Sequence, residues 1–336
     1  MGTPRIIIER NIPFARGVFE NIASVSYLSP DEITPETMAG VEALVTRTRT
    51  RCDRNLLAGS KCRIIASATI GLDHVDADWC RQAGITVCNA PGCNAPAVAQ
   101  YVFAAIIAAY GKDLSKLTIG IVGVGNVGSI VARWAKGMGM DILLCDPPRE
   151  QAEGHAGFCS LDEIASKADI ITIHTPYTKN GLHPTHHLLD SSFFDSLRRM
   201  PMVINAARGP IADNVAWVNA IESGKTGKAV VDCWEDEPHI NRRLLELAYI
   251  ATPHIAGYSR EGKIRATAMA LEAVAENLGL PHPEISEPMP PSAPDTVTAD
   301  MVARSYDPFA DTEALRSDPS AFEQLRNNYR LRREVF

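Results

Sequence analysis

Arg208, His254 and the acids Glu235, Asp236 and Glu237 each stand shortly after a short apolar run in a chain of 336 residues. A guanidinium followed by Gly209-Pro210 holds a carboxylate through two parallel hydrogen bonds, a geometry an ammonium lacks, and its charge polarises a neighbouring oxygen. An imidazole exchanges a proton near neutral pH, as the hydroxyl of an alcohol losing hydride requires, so His254 is the candidate general acid/base. A carboxylate beside that ring would orient it and favour its protonated form. Position within Trp234-Glu235-Asp236-Glu237-Pro238 does not choose among the three acids. The plainer alternatives are a surface salt bridge for Arg208, a structural role for His254 and a solvated acidic loop.

Those residues need a cofactor beside them, and the stretch Leu117 to Gly128 supplies one. An apolar strand runs into Gly123-Val124-Gly125-Asn126-Val127-Gly128, and Val127, Ile130, Val131 and Trp134 follow at helical spacing. This is the G-x-G-x-x-G context of dinucleotide binding. Gly123 permits the turn, Gly125 lets the backbone approach a pyrophosphate, and Gly128 lets helix pack on strand. The N–H groups at the helix start, from Asn126 and Val127, face the phosphates. The second strand ends at Asp146, about 20 residues on, where a carboxylate accepts hydrogen bonds from the adenosine ribose hydroxyls. That favours NAD over NADP, although Arg149 is nearby.

Short apolar runs alternating with helical patterns make this an α/β protein with parallel sheets. Strands are expected at 5–8, 43–46, 63–66 and 85–87, then at 169–174, 202–205, 228–232 and 250–252, with an apolar helix from about Ala97 to Tyr110. Ligands of such sheets bind beyond the carboxyl ends of the strands. That edge should collect Thr175, Ala206, Ala207, Arg208, Asp232 and His254, with Asp232 placed toward the nicotinamide. The net charge of −7 argues against nucleic acid or an anionic membrane as partner, and no apolar run is long enough to span a bilayer. The absence of a basic, then apolar, leader and the eight scattered cysteines suggest a cytoplasmic protein with reduced thiols. His183, His186 and His187 lack a fourth donor at suitable spacing, so no metal is expected. Prolines crowd Pro281 to Pro294, and the residues after them read as a linker and tail or, more pointedly, as a partner-binding segment.

With Arg208, Glu237 and His254 in that order around the fingerprint, the chain resembles the D-isomer-specific 2-hydroxyacid dehydrogenases over nearly its whole length. Ala90-Pro91-Gly92-Cys93-Asn94-Ala95, Asp146-Pro147-Pro148-Arg149, His174-Thr175-Pro176 and His254-Ile255-Ala256-Gly257-Tyr258 narrow the likeness to members acting on a hydroxylated, phosphorylated acid. Asn328 to Glu334 resembles part of a C-terminal dimerisation domain. The resemblance implies two Rossmann-like doubly wound domains with a cleft between them: 1–94 with 259–284 binding substrate in a flavodoxin-like fold, and 95–258 binding NAD. Residues 285–336 would form a shortened dimerisation segment of a homodimer, the chain stopping at Phe336 where the family continues. Hinges would lie near Asn94 and Gly257.

By the same likeness, Arg208 binds the substrate carboxylate, Glu237 is the supporting acid and His254 transfers the proton. Thr175, Ala206, Ala207, Asp232 and Gly257 would touch NAD, and Thr48, Ser67 and Tyr258 the substrate. Two local departures are Thr48, where the family has serine, and Glu9-Arg10-Asn11, which replaces an acidic pair. A relative using 3-phosphoglycerate or another small 2-hydroxy acid, and an NAD-sensing protein like the C-terminal-binding corepressors, are the alternative functions.

Overall fold

Long runs of β-branched and small apolar residues bury both faces of a strand, and they do so here in two parallel sheets. The computed structural model describes residues 2–335, which divide into two compact units, 2–94 with 260–292 and 95–259 with 293–335. In the first unit, β1 (Arg5–Glu9), β2 (Ser24–Leu28), β3 (Ala43–Thr46), β4 (Ile64–Ser67) and β5 (Thr86–Cys88) are all parallel and ordered β2-β1-β3-β4-β5. That is the flavodoxin order, with the reversal between β1 and β3. Strand β2 was not among the expected strands. Its Ser24-Val25-Ser26-Tyr27-Leu28 lies at the sheet edge, alternately exposed and half-buried, and lacks the continuous apolar run of the central strands. Ile6, Ile8, Ala43, Val45, Ile64 and Ala66 pack with Ala270, Leu271, Val274 and Ala275 of the helix Arg260–Leu278.

The second unit holds β6 (Thr118–Val122), β7 (Asp141–Cys145), β8 (Ile170–Ile173), β9 (Met202–Asn205), β10 (Ala229–Val231) and β11 (Ile250–Ala251). All pair in parallel, in the order β11-β10-β9-β8-β6-β7, so the order reverses between β6 and β8. The fingerprint turn therefore starts at the switch point, where a crevice opens in sheets of this kind. The helix Ala95–Tyr110 is apolar almost all round and buried from Ala95 through Ile107, as a helix inside a core must be. None of the described helices is long and apolar enough to cross a membrane.

Of the residues expected as a dimerisation segment, 285–292 group with the first unit and 293–335 with the second. The C-terminal part is not an unpacked tail. Its helices Ala299–Ser305, Pro308–Ser317 and Phe322–Asn327 begin with capping side chains at Thr298 and Asp307 in the first two cases, and they bury Val302, Leu315 and Phe322 completely. Phe322, Leu325 and Tyr329, which recur at helical spacing in the sequence, lie in this part. Polar contacts add to them: the Gln100 side-chain amide donates to Ser305 Oγ (2.8 Å) and to the Arg333 carbonyl (3.0 Å), and Thr312 Oγ1 accepts from Ala251 N (3.1 Å).

Phe322 sits in the core cluster of Leu244, Trp217 and Leu315. Truncating a fully buried phenylalanine costs about 3 to 5 kcal/mol, so Phe322→Ala should lower the urea midpoint of unfolding correspondingly. A midpoint equal to that of the unaltered protein would show that the segment's packing contributes nothing.

Candidate active site

Each fingerprint glycine answers a separate steric demand. Gly123 has φ +89°, and a Cβ there would lie 2.7 Å from the Thr175 nitrogen. At Gly128 a Cβ would meet the Gly123 carbonyl at 2.0 Å, so helix Asn126–Gly137 approaches its strand only as glycine allows. Gly125 has open space where its side chain would be, and Gly125 and Asn126 are exposed while Val127 is half-buried. Asp146 stiffens the turn: Oδ2 accepts from Val124 N (2.8 Å), and Oδ1 caps the following helix by accepting from Arg149 N (3.1 Å). Arg149 is occupied locally, donating to the Val124 carbonyl (2.6 Å) and to Glu153 (2.7 and 2.8 Å). Beside the turn, Thr175 Oγ1 is buried without a hydrogen-bond partner. An orphaned hydroxyl, an open glycine and helix N–H groups at a switch point fit a dinucleotide. Next to it, burial pushes His174 down to about 3, so that ring is neutral, and it pairs with Thr172 Oγ1 (3.0 Å).

The three acids separate cleanly. Glu237 faces the imidazole, its Oε2 lying 2.8 Å and its Oε1 3.1 Å from His254 Nδ1, while Oε1 also accepts from Trp234 N (2.9 Å). Glu235 instead accepts from Asn214 N (2.8 Å) and meets His187 Nε2 (2.7 Å), and Asp236 is an exposed turn residue at φ +56°. Burial opposes ionisation of Glu237, but His254, the Trp234 N–H and Arg326 outweigh it and hold the carboxyl below its ordinary range. A carboxylate acceptor fixes the proton on Nδ1, so the ring's Nε2 is the atom free to take a proton.

His254 has a left-handed backbone, φ +57°, which its surroundings enforce. Its N–H donates to the carbonyls of Asp232 (2.9 Å) and Thr252 (3.0 Å). The next two N–H groups, of Ile255 and Ala256, donate to Asp232 Oδ1 (2.7 Å) and Oδ2 (3.0 Å), and Thr252 Oγ1 donates to Oδ1 as well (2.7 Å). Asp232 is buried, and besides these donors its Oδ2 lies 3.9 Å from the Cys233 thiol. Burial raises its carboxyl, against the lowering influence of His254 and of these donors. From the far side, Arg332 donates to the carbonyls of Ile255 (3.0 Å), Ala256 and Tyr258 (3.3 Å).

Arg208 follows β9 in extended backbone, half-buried, with Nη1 donating to the Ala207 carbonyl (2.7 Å). Ala206 and Ala207 are half-buried, and Ala207 N donates to Asn205 Oδ1 (3.2 Å), whose own amide donates to the Arg208 carbonyl (2.9 Å). Gly209 ties this loop to the acidic one, because a Cβ there would lie 1.8 Å from the Trp234 carbonyl. Gly257 and Tyr258 continue the histidine turn, with Tyr258 half-buried and its ring 6.1 Å from that of Tyr329. The structure thus brings Glu237, His254, Asp232 and Tyr258 into one network.

In the first unit, Thr48 is exposed just past β3, and Ser67 ends β4 buried, its hydroxyl donating to the Arg47 carbonyl (3.1 Å) and bonded to Thr69 Oγ1 (2.8 Å). Glu9, at the end of β1, is buried and accepts from Thr50 Oγ1 (2.6 Å) and Thr46 Oγ1. Of the loop histidines, His186 stacks on His187 (4.1 Å) and meets the Tyr177 hydroxyl (3.3 Å), and His187 lies against Glu235 (2.7 Å) and Asp213 (3.8 Å). Cys233, Glu237 and His254 offer donor atoms within 4.8 Å of one another. Both Glu237 oxygens are committed to the ring nitrogen, and burial raises the Cys233 thiol well above its usual range, so the carboxylate and the ring pair with each other beside a neutral thiol. Arg326 and Arg332 were not singled out from the sequence as site residues, although Arg332 lies within the stretch 328–334 likened to a dimerisation domain and Arg326 just before it.

Residues 99–256 match the model of the D-isomer specific 2-hydroxyacid dehydrogenase NAD binding domain. The erythronate-4-phosphate dehydrogenase of Bacteroides fragilis is 47% identical over 98% of this chain and 97% of its own length. That of Cronobacter sakazakii is 39% identical over 98% of this chain and 92% of its own. The chain belongs to the D-isomer specific 2-hydroxyacid dehydrogenase family. As a member of that family it is an NAD-dependent oxidoreductase, with the family's NAD-binding domain in its second unit. Among solved structures, a D-lactate dehydrogenase from Aquifex aeolicus with NAD and lactic acid superposes with a TM-score of 0.69 at 25% identity, over 82% of this chain and 96% of that one. The TT0316 protein of Thermus thermophilus gives 0.70 at 28%, over 84% and 100%.

Because Gly209 leaves no room for a methyl group, Gly209→Ala should push the arginine loop off the acidic loop. A misplacement of about 1 Å costs about 10²-fold in rate, so kcat/KM should fall by at least that factor. Unchanged kcat/KM would show that the two loops need no such contact.

Proposed function

We propose that this dehydrogenase oxidises 4-phospho-D-erythronate to (R)-3-hydroxy-2-oxo-4-phosphobutanoate, a step of pyridoxal 5'-phosphate (vitamin B6) synthesis. The observation that carries the proposal is the Glu237–His254 pair, in a chain whose near-full-length relatives are named for that substrate. NAD supplies the hydride acceptor, and Gly123, Gly125, Asn126, Val127, Gly128, Asp146, Thr175, Ala206, Ala207, Asp232 and Gly257 are its proposed contacts. Arg208 is the group that grips the C1 carboxylate and fixes which face of C2 is presented, with a further contact to the cofactor. His254 takes the C2 hydroxyl proton on Nε2, and Glu237 stabilises the imidazolium through Nδ1. Thr48, Ser67 and Tyr258 are proposed to meet the substrate's remaining hydroxyl and phosphate groups.

The same reading makes the protein a cytoplasmic homodimer. The likeness of residues 328–334 to a dimerisation motif supports the second part, and eight free cysteines are in keeping with the first.

Two measurements test this. His254→Gln removes the proton acceptor, so turnover should fall by about 10² to 10⁴ with NAD binding intact; unchanged turnover removes His254 from the mechanism. Following NADH absorbance, kcat/KM for 4-phospho-D-erythronate should exceed that for D-3-phosphoglycerate. The reverse order would assign the site to the other acid, and no absorbance change with either would favour an NAD-sensing role.

A further inference from the structure

The helix Phe322–Asn327 brings to the acid/base pair a positive charge that the mechanism above leaves unused. Arg326 Nη1 lies 3.6 Å from Glu237 Oε2, the same oxygen that bonds His254 Nδ1 at 2.8 Å. Its Nε donates to the Tyr258 hydroxyl at 3.3 Å. The Arg326 and Glu237 side chains are only 19% and 17% exposed, so solvent screens this interaction weakly. Arginine stays charged even where burial opposes it. Glu237 therefore faces a fixed cation on one side and, on the other, a ring that becomes cationic only during the reaction.

We propose that Arg326 is a positioning residue of the acid/base pair: anchored on Tyr258, it holds Glu237 ionised and turned to the ring, and sets how readily the pair takes up its proton. The inference rests on reading Glu237 and His254 as that pair, but not on the identity of the substrate. Its physical content is a competition. A carboxylate facing the imidazole alone would favour the imidazolium strongly and make the ring a poor acceptor of the hydroxyl proton. A guanidinium on the same oxygen shares that field and repels the imidazolium, so the pair gives up its proton at lower pH. The other charged or titratable groups around the pair are Asp232 and Cys233 beyond β10, Arg208 beyond β9 and Tyr258 on the histidine turn. Of these, Asp232 is tied to its own donors and Cys233 is held neutral. Arg326 also supplies a reason for the C-terminal segment to pack on this unit.

The test tracks the His254 ring protons by NMR across pH in the substrate-free, full-length protein, with the pH profile of kcat/KM measured alongside. Arg326→Met keeps the aliphatic stem, Arg326→Gln keeps a hydrogen-bond donor toward Tyr258, and both remove the charge. Removing a like charge this close should raise the midpoint of the pair's titration by about one pH unit. The acid limb of the oxidation profile should move up equally, making oxidation about tenfold slower at a fixed pH below the limb. Arg326→Lys should restore most of the shift, and the KM for NAD should not change. A midpoint in either charge-removing variant that coincides with that of the unaltered protein overturns the proposal. So does a lysine variant displaced as far as the methionine one, since that would mark a packing role. Because the ring is observed without substrate, a shifted midpoint with no turnover of 4-phospho-D-erythronate would sustain this inference while defeating the substrate assignment.

Discussion

The backbone of Ile255 and Ala256 is gripped from both sides, and the placement of His254 depends on that grip. Its N–H groups point to the carboxylate of Asp232, and its carbonyls point to the guanidinium of Arg332. Both holding groups are buried, where charge-assisted hydrogen bonds are strong and an unmatched charge is costly, so the acid and the arginine need each other's intervening peptide groups. The residue just before them, His254, is thereby kept in a left-handed conformation that an unconstrained histidine seldom adopts. The imidazole is aimed by its backbone first and by Glu237 second.

The electrostatic division of labour arises from the same economy of space. Three acids within one short loop end in three environments: Glu235 satisfies a helix start and His187, Asp236 faces water, and Glu237 turns inward to the ring. Gly209 permits the neighbouring loop to lie against the Trp234 carbonyl, so arginine and acid are set by one backbone contact. In this way residues from the ends of β9, β10 and β11 reach one edge without any of them being adjacent in the chain.

The parts legible in the sequence are those where one residue answers one local demand. The fingerprint glycines and the strand-end placement of Arg208 and His254 are of that kind. Central strands announced themselves as unbroken apolar runs. Strand β2 did not, because an edge strand needs only half its residues buried. The choice of Glu237 over its neighbours required the resemblance, since spacing alone left it open, and geometry gives the physical reason. The C-terminal arginines were least visible: Arg326 and Arg332 act through partners on the order of seventy positions away, and no periodicity encodes such a contact.

The clasp of Arg332 on the histidine turn has a consequence for how the protein comes into being. Synthesis runs from the amino end, so the fingerprint, the sheet and both catalytic loops are translated well before the arginine that closes around them. A nascent chain halted short of that residue holds every group named in the chemistry yet lacks the outer half of the vice around its imidazole. The turn that bears His254 thus acquires its full set of contacts late in the birth of the molecule.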